Sequence, residues 1–287
     1  MALWSDPGVP ATLPERLPEL EIPGPEHQNR LTVLLRLLLL IPHFVILAVL
    51  GFIGFFVTVA GWFAALVLGR LPRPIAAYLL GYLRWQTRVE ASAMLLADRY
   101  PPFAMGERPD HPVRIQVEPT ELNRLAVLFR IILMIPAAII AGLGMAGWWA
   151  VAFINWLVVL VLGRMPQPLF QATAAIVRYR MRFDAYTVML SPAYPKRLFG
   201  DGPVPMQGTS GTRPLLLTTG AKVLVVIFLV LGLFSYAGGG TAGARATPER
   251  RWTTRSATSE PRRPRRPRRP LLPCRAPQHG GPGRRRR

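Results

Sequence analysis

Two long runs of apolar residues organise the chain. Residues 37–68 and residues 131–162 each contain 32 residues without a formal charge at neutral pH. A membrane-spanning helix needs about 20 apolar residues, so each run is too long for a simple span. Two interpretations stay open. Each run forms a tight helical hairpin that turns at glycines near its middle, or a short interfacial helix ends near Pro42 or Pro136 and one long tilted span follows.

The two runs belong to an internal repeat. Residues 30–101 recur without a gap as residues 124–195, at a constant offset of 94, and 24 of the 72 pairs are identical. Arginines flank the apolar run in both copies, and positive residues beside a membrane segment favour the cytoplasmic side. The unchanged charge pattern therefore predicts two copies in the same orientation, which requires an even number of crossings per copy and favours the hairpin.

A second helical segment follows each run after a Pro-containing turn. In the first copy it covers residues 75–96 and carries Arg84, Arg88 and Glu90. Each charge at the bilayer centre costs at least about 2.5–3.5 kcal/mol. The segment is therefore predicted to be an amphipathic helix lying at the membrane interface. The alternative is a spanning helix whose charges are buried inside the bundle.

Period-2 alternation precedes each repeat. Val113, Ile115 and Val117 alternate with polar residues, and Leu20 and Ile22 do so ahead of the first copy. This pattern predicts two short β-strands that pair with each other. A last apolar segment, residues 215–236, has the length of one span.

These patterns predict an all-α membrane protein with two tandem repeats, each a helical hairpin plus an interfacial amphipathic helix, and one further transmembrane helix. Short β-strands precede the repeats. The predicted divisions are an acidic Pro-rich segment at 1–29, membrane repeat 1 at 30–103, a linker with a short strand at 104–123, membrane repeat 2 at 124–200, a linker at 201–214, the C-terminal transmembrane helix at 215–236 and a disordered Arg/Pro-rich tail at 237–287.

Composition agrees with a membrane protein that has basic flanks. Hydrophobic residues make up 51%, and the formal net charge is +20. Much of that charge lies at the end of the chain, where residues 241–287 hold 15 arginines against two glutamates. Such a segment buries almost nothing and is predicted to be disordered. Two interpretations of it stay open: an arm that binds a polyanion, or the frameshifted end of a GC-rich gene.

The sequence contains no recognisable catalytic motif. A P-loop, a dinucleotide-binding GxGxxG, an HExxH and a Ser/His/Asp arrangement are all missing. The single Cys274 excludes an internal disulfide and a Cys-rich metal site. His43 has Ala137 as its counterpart, so it is interpreted as a packing residue, while Trp62 and Trp156 suit an aromatic belt. The chain is predicted not to be an enzyme and to need no cofactor and no metal.

Polar residues shared by both copies are the candidate site residues. Arg36 and Arg130 lie in apolar surroundings, where a carboxylate partner makes a charge tolerable. We expect structural ion pairs Arg36–Glu90 and Arg130–Asp184 that tie each second helix to its apolar run. The alternative is local, with Arg84 or Arg88 serving Glu90.

Two further arginine pairs suggest lipid as a partner. Arg84 with Arg88, and Arg178 with Arg182, stand four residues apart on one helix face. Like charges at this spacing repel unless anionic headgroups neutralise them, so these four residues are candidate anionic-lipid contacts. Small residues along the apolar runs would permit close helix contact within the chain, with a second copy of it or with other membrane proteins. Nucleic acid is not expected as a partner.

Several motifs together resemble a known family. RLTVLLRLLLLIPHFVIL, WFAALVLGRLPRP and YLRWQTRVEASAMLL in the first copy, and RLAVLFRIILMIP, WLVVLVLGRMP and VRYRMRFDAY in the second, resemble the bacterial membrane family with domain of unknown function 4389. The resemblance covers residues 18–200 as two tandem units. It implies an integral membrane protein of a prokaryotic envelope and supplies no reaction, cofactor or catalytic residue. We expect a multi-pass protein of the cytoplasmic membrane.

Two functions stay open on this basis. The preferred one is a non-enzymatic scaffold or assembly partner in the cell envelope. The alternative is a small-solute transporter or channel, since internal repeats are common in transporters. Convergence of Asn155, Thr58 and Arg36 on one cavity would favour the transporter. The number of crossings, five or three, and the side of the C-terminus stay open.

Overall fold

A computed structural model describes residues 17–117, 121–201 and 210–244, with side chains described as far as residue 237. Three of its helices are long and apolar enough to cross a membrane: Arg30–Leu68, Arg124–Ala150 and Thr219–Ala237. The described elements are β1 (Glu19–Glu21), α1 (Arg30–Leu68), α2 (Arg73–Ala93), β2 (Arg114–Gln116), α3 (Arg124–Ala150), α4 (Ala152–Leu162), α5 (Gln167–Thr187) and α6 (Thr219–Ala244).

The first apolar run is one continuous helix, so the predicted hairpin turn at its central glycines is wrong. α1 passes through Pro42 without ending. Gly51 is needed for packing instead: a Cβ there would lie 2.7 Å from the Tyr82 hydroxyl of α2. The hydroxyl of Tyr78 also donates to the Leu50 carbonyl at 2.8 Å. The small residues near the middle of α1 thus leave room for tyrosine side chains of α2, and they do not mark a turn.

The hairpin turn lies instead at the Gly-Arg-x-Pro element. Gly69 ends α1 in the left-handed conformation (φ 69°) and donates its N–H to the Ala65 carbonyl, as a C-terminal glycine commonly does. Proline then starts α2, which returns along α1. Gly163 ends α4 in the same way with φ 68°. Each repeat is therefore a hairpin between its apolar helix and its charged helix.

The charged helices are largely buried inside the protein, which does not fit the predicted interfacial position. Most of α5 is buried, including Phe170, Ala174 and Val177 at 0% exposure. A helix lying on headgroups would keep one polar face exposed. The burial of charged side chains that the alternative required is found in α5 and in much of α2, but neither helix is among those long and apolar enough to cross a membrane.

The two repeats are antiparallel, which contradicts the predicted common orientation. Gln28 N donates to Gly163 O at 2.7 Å, and Leu122 N donates to Gly69 O at 2.9 Å. The two contacts are equivalent, because Leu122 is the counterpart of Gln28 and Gly163 is the counterpart of Gly69. The first copy donates in one contact, and the second copy donates in the other. The start of each apolar helix therefore lies beside the end of the other. This is the geometry of an inverted pair related by an approximate two-fold axis.

Two tryptophans join the copies at the same ends. The Trp62 indole donates to Val127 O at 3.2 Å, and the Trp156 indole donates to Val33 O at 2.9 Å. The indole N–H groups of both tryptophans therefore form hydrogen bonds between the two repeats. The predicted strands do pair, antiparallel, with Leu20 opposite Ile115, which confirms the expectation drawn from the alternation.

The last apolar helix packs on the second repeat. A Cβ at Gly147 would collide with the Phe228 carbonyl, and a Cβ at Gly232 would collide with the Leu143 carbonyl. The backbones of α3 and α6 are therefore in direct contact, as the small residues of the apolar run predicted for contacts within the chain. α6 begins at Thr219 and continues to Ala244, whereas the predicted span covers 215–236. The rest of the predicted tail, with both of its interpretations, lies outside the described residues.

Candidate functional site

Arg36 and Arg130 anchor the end of each hairpin. Arg36 donates from Nη1 to the carbonyls of Ser92 and Ala97, at 3.3 and 2.9 Å. Arg130 donates to the equivalent carbonyls of Tyr186 and Ser191, at 2.9 and 3.0 Å. Ser92 and Tyr186 lie in the last turns of α2 and α5, and Ala97 and Ser191 lie in the segments that follow these helices. Each arginine therefore caps the second helix of its own repeat.

The predicted partners of these arginines are wrong. The carboxylate that pairs with Arg36 is Asp98, at 2.6 Å, and not Glu90. The position equivalent to Asp98 is Pro192, and Arg130 instead lies 4.2 Å above the ring of Tyr186. Asp184 is not its partner. The reason is the direction in which each side chain points from its helix. The arginines contact the last turn of the second helix, whereas Glu90 and Asp184 lie on the helix face that packs against the other repeat.

The four candidate lipid contacts hold loops. Arg88 donates to the carbonyls of Ala104 and Gly106, and Arg178 pairs with Asp201 at 2.6 Å. Arg182 donates to the carbonyls of Pro18 and Lys196. These three arginines are 2–3% exposed, so their burial does not fit contact with headgroups. Burial lowers the pKa of all three, that of Arg182 to about 9.

Arg84 differs from the other three because it is partly exposed. It lies 3.3 Å from Glu107, whose side chain is 73% exposed. The equivalent pair in the second copy is the buried Arg178–Asp201. The second copy therefore has an equivalent ion pair between its charged helix and the loop that follows, and this pair is buried more deeply.

The residues at the crossing of α2 and α5 form a separate polar cluster. Gln86 and Arg180 occupy equivalent positions in the two copies, as do Glu90 and Asp184. Asp184 Oδ2 accepts from Gln86 Nε2 at 3.2 Å and from Arg180 Nε at 3.0 Å. Among the described residues, Glu90 Oε2 is buried and has no hydrogen-bond partner. Two carboxylates are therefore influenced by one guanidinium, which hydrogen-bonds to Asp184 and acts on Glu90 through its charge.

His43 packs among aromatic rings. Its Nδ1 accepts from the Trp85 indole at 3.1 Å, and its ring stacks on Phe103 with centroids 3.8 Å apart. Because Nδ1 accepts, the neutral ring carries its proton on Nε2. This arrangement fits the packing role interpreted from the sequence.

A cavity of about 290 Å³ opens between the start of α1 and the α3–α4 junction. This volume is at the low end of ligand pockets, and its wall is almost entirely apolar apart from Arg36. Asn155 and Thr58 are not among its lining residues, so the convergence that would favour a transporter is not found at this cavity. The lining is Leu34, Arg36, Leu37, Ala93, Leu95, Trp148, Trp149, Ala152, Phe153 and Trp156.

Metal ligation finds no support in the described part of the chain. No group of three or more histidine, cysteine, aspartate or glutamate side chains comes together there.

Comparisons with known proteins agree with the repeat. The model of the family described as Domain of unknown function (DUF4389) matches residues 30–105 and again residues 124–198. These two matches cover both hairpins and more than half of the chain, which confirms the resemblance seen in the sequence. No curated protein and no solved structure matches the chain.

Proposed function

The chain belongs to the family with Domain of unknown function (DUF4389), and we propose that it acts as a non-enzymatic scaffold or assembly partner in the prokaryotic cytoplasmic membrane. One observation carries this proposal. The second hairpin is covered by α6, whereas the equivalent face of the first hairpin has no covering helix among the described residues. Such an apolar face is suited to a helix of another membrane protein.

The asymmetry is visible at equivalent positions. Gly147, which touches the α6 backbone, has Ile53 as its counterpart, and Ile53 is 44% exposed. Neighbouring side chains on the same side of α1 are also exposed, with Val49 at 58% and Phe56 at 56%. A partner here would meet bulky side chains, so it would pack less closely than α6 does on α3. That fits an exchangeable partner better than a permanent one.

The interior supports a structural role. The arginines buried in α1, α2, α3 and α5 donate mostly to backbone carbonyls, so their charges hold loops and helix ends in place. Donors used in this way are not free to bind a substrate.

The test is photo-crosslinking in native membranes. A photoreactive residue at Ile53 is expected to capture the same protein in repeated preparations. The control probe replaces Phe55, which is 63% exposed and, two residues along the helix, faces nearly the opposite way. Capture of one defined protein from Ile53 alone supports the scaffold. Lipid adducts alone from both positions contradict it.

A topology prediction follows from the antiparallel repeats, if the apolar helices span. Glu26 lies beside the Gln28–Gly163 contact at one end of α1, and Glu121 lies beside the Leu122–Gly69 contact at the other. In a Cys274→Ser background, cysteines at Glu26 and Glu121 are expected to react with an impermeant maleimide from opposite sides of the membrane. Labelling from the same side would support the common orientation predicted from charge and refute an inverted pair of spans.

A transporter or channel is the second candidate. Antiparallel repeats with polar residues at their interface are a common transporter architecture, and the Glu90–Asp184 cluster occupies such an interface. Buried carboxylates in membrane proteins often mark ion pathways. Proton flux through reconstituted liposomes that disappears in Glu90→Gln would favour this candidate over the scaffold.

A further inference from the structure

The inference concerns the polar cluster at the crossing of α2 and α5. Its members are Gln86 and Glu90 of α2, and Arg180 and Asp184 of α5. Among the described residues, the titratable or charged groups that face Glu90 are Arg180, Asp184 and the Tyr82 hydroxyl. The cluster joins the two repeats, because α2 belongs to the first and α5 to the second.

The hydrogen bonds of this cluster are unequally divided. Asp184 accepts from both Gln86 and Arg180, at 3.2 and 3.0 Å. Glu90, its equivalent in the first copy, has a buried Oε2 without a partner in the described chain. A buried carboxylate oxygen without a donor is costly when the group is ionised, and much less so when the group is protonated.

Sequence divergence between the copies accounts for this imbalance. The position of Arg180 in the second copy is occupied by Gln86 in the first. A cluster with two arginines would neutralise two carboxylates, but this cluster has one arginine. With both carboxylates ionised, it would carry a net charge of −1 among apolar helices. A single proton removes that charge.

We propose that Glu90 and Asp184 form a carboxylate pair that holds one proton near neutral pH, and that release of this proton weakens the contact between the two repeats. The ligand of this site is therefore a proton, which the two carboxylates share where the first repeat contacts the second. The proposal is independent of whether the protein is a scaffold.

The titration of Glu90 agrees with this geometry. Burial, and after it the charge of Asp184, raise its pKa to about 7 against the opposing effect of Arg180. A carboxyl whose native pKa is above its unfolded value of 4.5 binds more protons in the native state between these values. The contribution of Glu90 to stability is therefore greatest at low pH, falls as pH rises to about 7 and is constant above that.

The experiment compares the full-length protein with Glu90→Gln, in which the side chain stays neutral. Melting midpoints in detergent are measured from about pH 5 to about pH 8. The variant is expected to match the wild type near pH 5 and to exceed it by about 3 °C or more near pH 8. The difference between the two proteins is the quantity compared, since the histidines titrate in both.

Two further variants sharpen the test. Asp184→Asn removes the neighbouring charge and is expected to shift the pH-dependent step to lower pH. Glu107→Gln, which removes an exposed carboxylate elsewhere, is expected to keep the wild-type pH dependence. A difference between Glu90→Gln and wild type that is the same at every pH overturns the proposal.

An infrared measurement keeps the proposal testable if Glu90→Gln folds poorly. The native wild type near pH 6 is expected to show the carbonyl stretch of a protonated carboxylic acid that resists exchange and disappears near pH 8. Absence of this band near pH 6 overturns the proposal, whatever the outcome for the variants or for the proposed partner.

Discussion

Replacing Gly147 by leucine is expected to detach α6 from the second repeat and to destabilise the protein by about 3 kcal/mol or more. The neighbour of Gly147 is backbone: a Cβ would overlap the Phe228 carbonyl. Backbone cannot rotate away as a side chain does, so the helices must separate and lose their contact along α3. Thermal unfolding in detergent, or titration with a denaturing detergent, measures the loss.

Gly106 supplies the matched control. A Cβ at Gly106 meets nothing within 4 Å, so Gly106→Leu is expected to change stability by less than about 0.5 kcal/mol, as substitutions at unconstrained surface positions usually do. Similar stabilities for the Gly147 and Gly106 variants would show that the α3–α6 contact does not hold the fold together.

Replacing Arg130 by methionine is expected to have the second large effect, a destabilisation of about 3 kcal/mol. The substitution removes the donors of the Tyr186 and Ser191 carbonyls, at 2.9 and 3.0 Å. A hydrogen bond from a charged donor contributes about 1.5–3 kcal/mol, and Tyr186 O keeps its bond from Met189 N. It also removes the cation stacked on Tyr186. The free energy of unfolding in detergent is the measurement.

Arg36 allows a comparison within the same chain. Arg36→Met is expected to cost at least as much, because it also leaves Asp98 without the cation 2.6 Å away. Asp98→Asn added to Arg36→Met should restore part of that loss, since the unpaired charge is removed. Adding Glu90→Arg to Arg36→Glu should restore nothing. Rescue by that second pair would mean that Arg36 does meet Glu90.

The local elements were readable from the sequence because short-range rules govern them. The alternation around Ile115 predicted a strand, and that strand does pair with the one around Leu20. The repeat itself followed from the constant offset. Each of these depends on residues close in the chain or on equivalence between copies.

The partners of the arginines could not be read in the same way. Asp98 and Tyr186 lie 62 and 56 residues from Arg36 and Arg130, and only the placement of the hairpin turn brings them together. A turn at Gly51 would have given different neighbours. The one available signal was the pair of Gly-Arg-x-Pro elements, whose glycine and prolines are suited to end one helix and start another.

The sequence by itself determined that this protein is one family unit used twice, with apolar helices long enough to cross a membrane and with Arg36 and Arg130 in apolar surroundings. Only the tertiary structure decided that the copies run antiparallel. The physical reason is that the relative orientation of the copies depends on contacts between residues far apart in the chain, such as Gln28 N with Gly163 O and Leu122 N with Gly69 O. A count of the arginines that flank each apolar run contains no information about those contacts.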